Sequence, residues 1–342
     1  KMENSMRNTN RTINTTRTSQ TRERQRFTLT SNYVPDSNIN VAYFVELLYK
    51  TWTIFGVSTF FNFHQDEVHL KQYSKRLREE VAITLAQEDV TYDAKVYVMD
   101  NVATRPSPID PPPMKVLASI IYAKKYSNDE TVEKCIYNGV FLSWGTARKE
   151  LTVPNCIRLP LLLCRGTKSG MNTVHNVLSL MFDCTVVALP VSEDDLIWLI
   201  PIVITPINEE GHLKSTDKMC MEYKLTKPSD TDTITVHFQI SDLIRMLTAY
   251  VHKYFDETNI EISINSEHIE KCRQALYDQI LQIAGLQMGL CMLCKINLSA
   301  FTIMENKMKI ANLTVMNRVL LYLNKKALDI FHTFNFEIFR NV

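Results

Sequence analysis

Residues 288–312, MGLCMLCKINLSAFTIMENKMKIAN, indicate the fold class. Apolar and β-branched residues recur in three successive segments, which we predict as strands at 288–297, 299–304 and 307–312. The links between them are too short for a helix, so neighbouring strands must run antiparallel. Strands that come in adjacent runs favour the α+β class, with mostly antiparallel sheets covered by helices.

Adjacent strands and amphipathic helices follow one another through the rest of the chain, with order beginning near Asn40. The predicted helices are a short one at 41–48, then 67–87, one capped by Ser169, one with a capping box at Ser192, one capped by Ser241, 266–284 and 314–331. The predicted strands outside 288–312 are 51–63, 92–98, 114–123, 134–144, 159–164, 184–189, 218–226, 233–240 and, at the C-terminal end, 335–339.

Residues 1–36 are predicted to be a disordered basic tail, because Thr, Asn, Ser, Arg and Gln dominate its composition. Residues 1–26 hold seven basic and two acidic residues, a net charge of +5, within a chain of +1. The rest therefore carries −4. Two interpretations stay open: a solubilising extension, or a contact with nucleic acid or an acidic partner, including part of a nuclear localisation signal.

Residues 37–342 are predicted to fold as one large domain or as two lobes, approximately 37–206 and 217–342. The acidic, polar stretch 207–217 is the candidate seam between those lobes. Five prolines in residues 104–113 predict an exposed loop between strands, since proline cannot donate to a sheet ladder.

Glycine is scarce, with 8 in 342 residues, and every glycine is isolated. The loops that cradle phosphates or oxyanions need glycine where the backbone must approach a ligand closely. Rossmann, P-loop and serine-hydrolase motifs cannot be assembled here. We expect no enzyme activity, no cofactor and no small-molecule substrate.

The eight cysteines lie mostly within apolar runs, so we expect reduced thiols in the cytosol or nucleus. The longest apolar run, Leu196–Ile204, is too short to span a membrane. The sequence also predicts no secretory signal, because residues 1–26 contain no apolar stretch.

Three motifs could suggest metal or redox chemistry, and each has a simpler structural interpretation. His64-Gln-Asp-Glu-Val-His69 is interpreted as a solvated helix start, because residues five apart on a helix do not share a face. Cys291-Met-Leu-Cys294 lacks a second cysteine pair and is interpreted as core cysteines. Asp194-Asp195 suits the first turn of a helix, where carboxylates are favoured. We therefore predict no metal site.

Basic side chains in the tail and on the helix 67–87 are candidate nucleic-acid contacts. They are Arg22, Arg24, Arg26, Lys71, Lys75 and Arg76. Mixed charge on an exposed helix face is the simpler interpretation of the last three. A free-standing nucleic-acid-binding protein remains the alternative function, and steep salt dependence of binding would identify it.

Several stretches resemble the centromere protein L family, an inner-kinetochore family. The resemblance covers about residues 40–330, with 205–285 matched weakly. Its motifs are Leu47-Leu-Tyr-Lys-Thr-Trp-Thr53, Phe60–Phe63, Leu70-Lys-Gln-Tyr-Ser74 with Leu77, Leu159-Pro-Leu-Leu-Leu163, Phe182-Asp-Cys184, Leu196 with Trp198, and Val319–Leu328.

The resemblance implies a non-enzymatic structural subunit at the centromere and kinetochore in the nucleus. It implies pairing with centromere protein N, membership with other subunits of the constitutive centromere-associated network, and support of kinetochore assembly and chromosome segregation on centromeric chromatin. Contact with centromeric DNA or a nucleosome is a further expectation. The resemblance also implies pairing by sheet augmentation near the C-terminus, where Phe334, Phe336 and Ile338 would alternate on one face of an edge strand.

Overall fold

The computed structural model describes residues 26–30, 45–99, 110–122, 132–145, 155–205, 217–225, 232–251 and 261–340. The strands in these ranges are β1 (Arg26–Thr30), β2 (Thr51–Val57), β3 (Phe60–Phe61), β4 (Val90–Val98), β5 (Met114–Tyr122), β6 (Val132–Leu142), β7 (Cys156–Ile157), β8 (Leu161–Gly166), β9 (Val186–Ala188), β10 (Lys218–Leu225), β11 (Thr233–Gln239), β12 (Glu261–Asn265), β13 (Cys291–Asn297), β14 (Phe301–Met304) and β15 (Lys307–Ile310). The helices are α1 (Glu67–Leu85), α2 (Lys168–Phe182), α3 (Glu193–Ile204), α4 (Ile240–Val251), α5 (Ser266–Ala284) and α6 (Leu313–Arg340).

One large antiparallel sheet confirms the predicted α+β class. Its strand order is β11-β10-β13-β14-β15-β2-β8-β6-β5-β4, and β9 also pairs with β2. Two small sheets, β1 with β12 and β3 with β7, complete the strand pairing of the described ranges. The stretch 288–312 forms β13, β14 and β15, which pair in sequence order. Met308 of β15 lies opposite Trp52 of β2, so one sheet joins strands from both predicted lobes.

Two hydrophobic cores lie on opposite faces of this sheet. Along β8, Leu161 and Leu163 belong to the first core, whereas Leu162 and Cys164 belong to the second. Successive residues of a strand point to opposite faces, so this continuous apolar run marks a strand covered on both sides. Helices α3 to α6 supply the first core, and α1 and α2 supply the second.

Helix α3 is the most deeply buried helix, and both of its ends are satisfied by side chains. The predicted capping box is present: the Asp195 amide donates to Ser192 Oγ at 3.3 Å, and the Ser192 amide donates to Asp195 Oδ2 at 2.7 Å. At the other end Arg318 Nη1 donates to the carbonyls of Ile202 (3.2 Å) and Thr205 (2.7 Å). Burial lowers the pKa of Arg318 to about 10, so this guanidinium stays charged at neutral pH.

The C-terminal strand prediction is wrong. Residues 335–339 continue α6, which runs without interruption from Leu313 to Arg340. Phe334 and Ile338, four residues apart, lie on one side of a helix, and Phe336 lies about 200° round the axis from Phe334. The three residues therefore do not share a face, and this segment offers no sheet edge.

Two other boundaries differ from the sequence predictions. Arg26–Thr30, inside the range predicted to be a disordered tail, is strand β1 and pairs with Glu261–Asn265. The remainder of residues 1–36 lies outside the described residues. Helix α2 is capped by Thr167, whose Oγ1 accepts from the Gly170 amide at 3.1 Å, and Ser169 instead lies in the first turn.

Among the described helices, none is long and apolar enough to cross a membrane. All eight cysteines are free thiols. Most of the predicted seam 207–217 and of the proline-rich loop 104–113 lies outside the described residues.

Candidate partner-binding surface

The large sheet ends in β4 on one side, and this edge is covered. Helix α1 lies against β4, and its Ser74 Oγ accepts a hydrogen bond from the Val96 amide at 2.8 Å. The Ala94 amide donates to Asp93 Oδ1 at 2.9 Å. Side chains thus satisfy backbone donors of β4, which makes this edge a poor template for a further strand.

At the opposite edge, β11, no side chain of the described residues makes a hydrogen bond with the strand backbone. No other described strand pairs with its outer side. Its sequence, TITVHFQ, contains no lysine, arginine, carboxylate or proline. Ile234, Val236 and Phe238 pack against the first core, while Thr235 and His237 are exposed. Natural proteins usually protect an edge strand with charges, proline or a covering element, so this open and uncharged strand is suited to pairing.

Two exposed apolar side chains lie one strand in from β11, and we call them the β13 patch. They are Leu290, which is 68% exposed, and Met292, which is 47% exposed. Met292 lies opposite Lys224 of β10, which in turn lies opposite Thr233 at the start of β11. Met292, Lys224 and Thr233 thus lie in one row across the sheet, and only β10 separates the patch from the edge strand.

Lys224 is the charged residue between Met292 and Thr233, and one ion pair lies beside it. Lys295 Nζ of β13 lies 2.6 Å from Glu222 Oε1 of β10, and both side chains are about a quarter exposed. Nearby, Cys294 Sγ donates to the Glu222 carbonyl at 3.2 Å, and burial raises the pKa of this thiol. Cys291 is buried in the first core as predicted, whereas Cys294 is only half-buried and lies outside that core.

Comparison with known proteins identifies the family. The family model described as Centromere protein L matches residues 46–328. The chain belongs to the centromere protein L family. One relative, centromere protein L of Xenopus tropicalis, is 23% identical over 298 residues, which cover 83% of this chain and 79% of the relative. As a member of this family of structural centromere proteins, the chain is a nuclear protein of the centromere and kinetochore and is associated with chromosome segregation.

The residues that carry the centromere protein L resemblance are packing residues. Trp52 is fully buried, and its Nε1 donates to the Leu47 carbonyl at 2.9 Å. Phe182 contacts the rings of Phe60 and Tyr73 edge-on, with centroids 5.5 and 4.8 Å away. Edge-to-face contacts of this kind stabilise a core beyond simple burial. These side chains build the interior and leave the surface to other residues.

The predicted partner-binding residues Phe334, Phe336 and Ile338 lie beyond the family match, in the last turns of α6. Their role in partner binding stays a prediction. Any contact that these residues make with a partner would come from a helix, because a helix cannot add a strand to a sheet.

The predicted nucleic-acid contacts are dispersed. Arg22 and Arg24 lie outside the described residues, and Arg26 opens β1. Lys71 and Lys75 are exposed on α1, and each faces a glutamate one turn away: Glu67 at 2.6 Å and Glu79 at 3.9 Å. The hydrogen bond from Lys71 lowers the pKa of Glu67.

Arg76 is exposed on the same helix. The basic face of α1 thus has the mixed charge expected of an ordinary solvated helix.

The adjacent carboxylates of α3 act as the sequence predicts, in the first turn of a helix. Asp194 pairs with Arg273, and Asp195 pairs with Lys326 and accepts from Tyr322 Oη at 2.8 Å. Burial raises the pKa of Asp195, but hydrogen bonds from Lys326 and Ser192 outweigh it and hold that pKa below its usual value.

Sequence reasoning missed the β11 edge and the β13 patch. The uncharged stretch TITVHFQ was a usable clue to the edge. The strand order that leaves β11 outermost depends on pairings between distant segments, which no local pattern contains.

Proposed function

We propose that this chain is a non-enzymatic structural subunit of the inner kinetochore that pairs with centromere protein N. In that complex, with other subunits of the constitutive centromere-associated network, it supports kinetochore assembly on centromeric chromatin. The pairing surface we propose is β11 together with the β13 patch.

The observation that carries this proposal is an edge strand with which no other described strand pairs on its outer side, with exposed apolar side chains one strand away. A strand added to β11 would satisfy its outward backbone groups, which gives affinity, while the side chains of the patch give specificity. The covered edge at β4 makes β11 the favoured end of the sheet. The absence of charge along TITVHFQ suits an uncharged, apolar partner strand better than DNA.

The proposal also includes a contact with centromeric DNA or a nucleosome, and α1 is not the favoured surface for it. Lys71 and Lys75 already have carboxylate partners, and a phosphate would have to compete with Glu67 and Glu79 for them. The basic residues 1–26 retain a net charge of +5 and are the better candidates for that contact.

The pairing is tested by placing charges on the patch. The Leu290→Asp/Met292→Asp double variant should weaken binding to purified centromere protein N by at least about 30-fold, the equivalent of about 2 kcal/mol for a central apolar contact. Both side chains are largely exposed, so thermal unfolding should change little. Isothermal titration calorimetry gives the affinity.

Leu180→Asp is the matched control, because Leu180 is 80% exposed on α2, away from the β13 patch. It should bind centromere protein N normally. Equal affinities for the double variant and the control would overturn the proposed surface. A different outcome would assign the surface to a homodimer. In that case the parent chain would self-associate, and the double variant would lose self-association but still bind centromere protein N.

A further inference from the structure

Two histidines and an aspartate converge where the chain enters α1. One ligand atom from each of His64, Asp66 and His69 lies within 4.8 Å of the others. The two imidazole rings stack with centroids 4.4 Å apart and an angle of 25° between their planes. Residues five apart on a helix do not share a face, but this rule does not apply to His64 and His69. Helix α1 begins at Glu67, so His64 lies before the helix.

From this geometry we propose that His64, Asp66 and His69 form a binding site for a zinc ion. Imidazole nitrogen is a good ligand for Zn²⁺, Cu²⁺, Ni²⁺ and Fe²⁺, whereas Mg²⁺ and Ca²⁺ prefer sites made of oxygen alone. Zinc accepts mixed nitrogen and carboxylate ligands and usually holds four ligands in a tetrahedron. Three protein ligands would leave the remaining position to water.

The backbone that carries His64 is held in place by neighbouring groups. The His64 amide donates to Tyr73 Oη at 3.1 Å, and Tyr73 Oη donates to the Asn62 carbonyl at 3.3 Å. The rings of Phe63 and Tyr73 stack at 5.7 Å, and the Phe63 amide donates to the Asn155 carbonyl at 3.0 Å. The turn is therefore anchored to α1 before any ion binds.

Asp66 is arranged so that one oxygen serves the helix and the other can serve a metal. Its Oδ1 accepts from the His69 amide at 3.1 Å as the N-cap of α1, while Oδ2 lies 2.6 Å from His69 Nδ1. The amide hydrogen bond lowers the pKa of Asp66, so its carboxylate is charged at neutral pH. This negative charge opposes the positive end of the helix dipole, which by itself would disfavour a cation.

To admit the ion, the stacked imidazole rings must rotate until their nitrogens point to one position. Ligands about 2.0–2.1 Å from a tetrahedral zinc lie about 3.3 Å apart. The Asp66–His69 pair must open by less than 1 Å, and the longer separations in the cluster must close. All three side chains are at least partly exposed, so they can rotate and an ion can reach them. Zinc would then take the position between Asp66 and His69 that the hydrogen bond now occupies.

The experiment titrates the untagged full chain with Zn²⁺ in calorimetry and with Co²⁺ in visible absorption. We expect one equivalent of saturable zinc, a Co²⁺ spectrum typical of low coordination number, and a melting temperature that rises with zinc concentration. Loss of an outer-sphere partner alone costs a metal site 10–100-fold in affinity. His64→Gln/His69→Gln and Asp66→Asn should each lose at least about tenfold.

Asp66→Asn keeps the N-cap, since asparagine caps helices as well as aspartate does. Its loss of zinc therefore cannot be ascribed to unfolding of α1, and circular dichroism checks this. His237→Gln, which removes an exposed histidine from β11, is the matched control and should bind zinc with the affinity of the parent chain. Zinc binding that survives in both site variants, or no saturable binding at millimolar zinc, would overturn the proposal.

Discussion

Replacing Trp52 by alanine should remove a large part of the free energy of unfolding. Trp52 lies on β2 at the centre of the large sheet, fully buried in the first core. Deleting a buried tryptophan ring costs about 3–5 kcal/mol through lost burial and the cavity left behind. The Leu47 carbonyl also loses its donor, which adds about 1 kcal/mol or more for a buried acceptor.

A total near 5 kcal/mol compares with a folding stability of about 5–15 kcal/mol for typical domains. Trp52→Ala should therefore accumulate poorly in cells and unfold at much lower denaturant. Trp52→Phe keeps most of the ring and loses the hydrogen bond, so it should cost only about 1–3 kcal/mol. The difference between the two variants measures the packing of the ring.

The assay is guanidinium unfolding followed by far-UV circular dichroism, with Leu180→Ala as an exposed control that should stay within about 0.5 kcal/mol of the parent. If Trp52→Ala lost less than about 1 kcal/mol, the packing role of this family motif would be refuted. The same conclusion would follow if it abolished pairing with centromere protein N while stability was unchanged.

Lys326→Met should destabilise the chain by about 3–5 kcal/mol near neutral pH, because it leaves the buried Asp195 carboxylate without its cation. Asp195 has a lowered pKa in the fold, so the stability it contributes is present above its ordinary pKa of 3.8 and is lost as pH falls through the folded value. The gap between parent and variant in denaturant titrations should thus shrink in acid, and a constant gap from neutral to acidic pH would contradict this reasoning. Phe336→Asp should abolish co-purification with centromere protein N at unchanged melting temperature if α6 contributes to pairing, and normal pairing would remove α6 from the interface. DNA binding by the isolated chain should be weak, with a shallow dependence on salt; a steep negative log–log slope would favour the alternative of a free-standing nucleic-acid-binding protein.

The sequence predicted most helices and strands of this fold because hydrophobic periodicity and capping residues lie within each element. Helix α1 and the strands β13 to β15 have strong periodicity over whole elements, and α3 has a complete capping box. The C-terminal error shows the limit of this approach. Alternation over Asn335–Phe339 is only five residues long, and residues 312–342 contain no glycine or proline to end the helix. Extending an existing helix costs less than nucleating a new element.

The candidate surfaces were less accessible to sequence reasoning, because each combines distant segments or an unexpected turn. The β11 edge is defined by a strand order in which β10, residues 218–225, pairs with β13, residues 291–297. His64 and His69 meet because Asn62 has a positive φ of 55° and the chain turns there before α1 begins. A rule for residue spacing within a helix could not anticipate that approach.

Hydrogen–deuterium exchange of the chain with and without centromere protein N reports whether β11 is the pairing strand. An added strand would protect the outward amides of Thr233–Gln239, so we expect slower exchange in that peptide on binding, while exchange in the covered edge Val90–Val98 stays unchanged. Unchanged exchange along β11 in a saturated complex, with protection elsewhere, would contradict pairing through this edge.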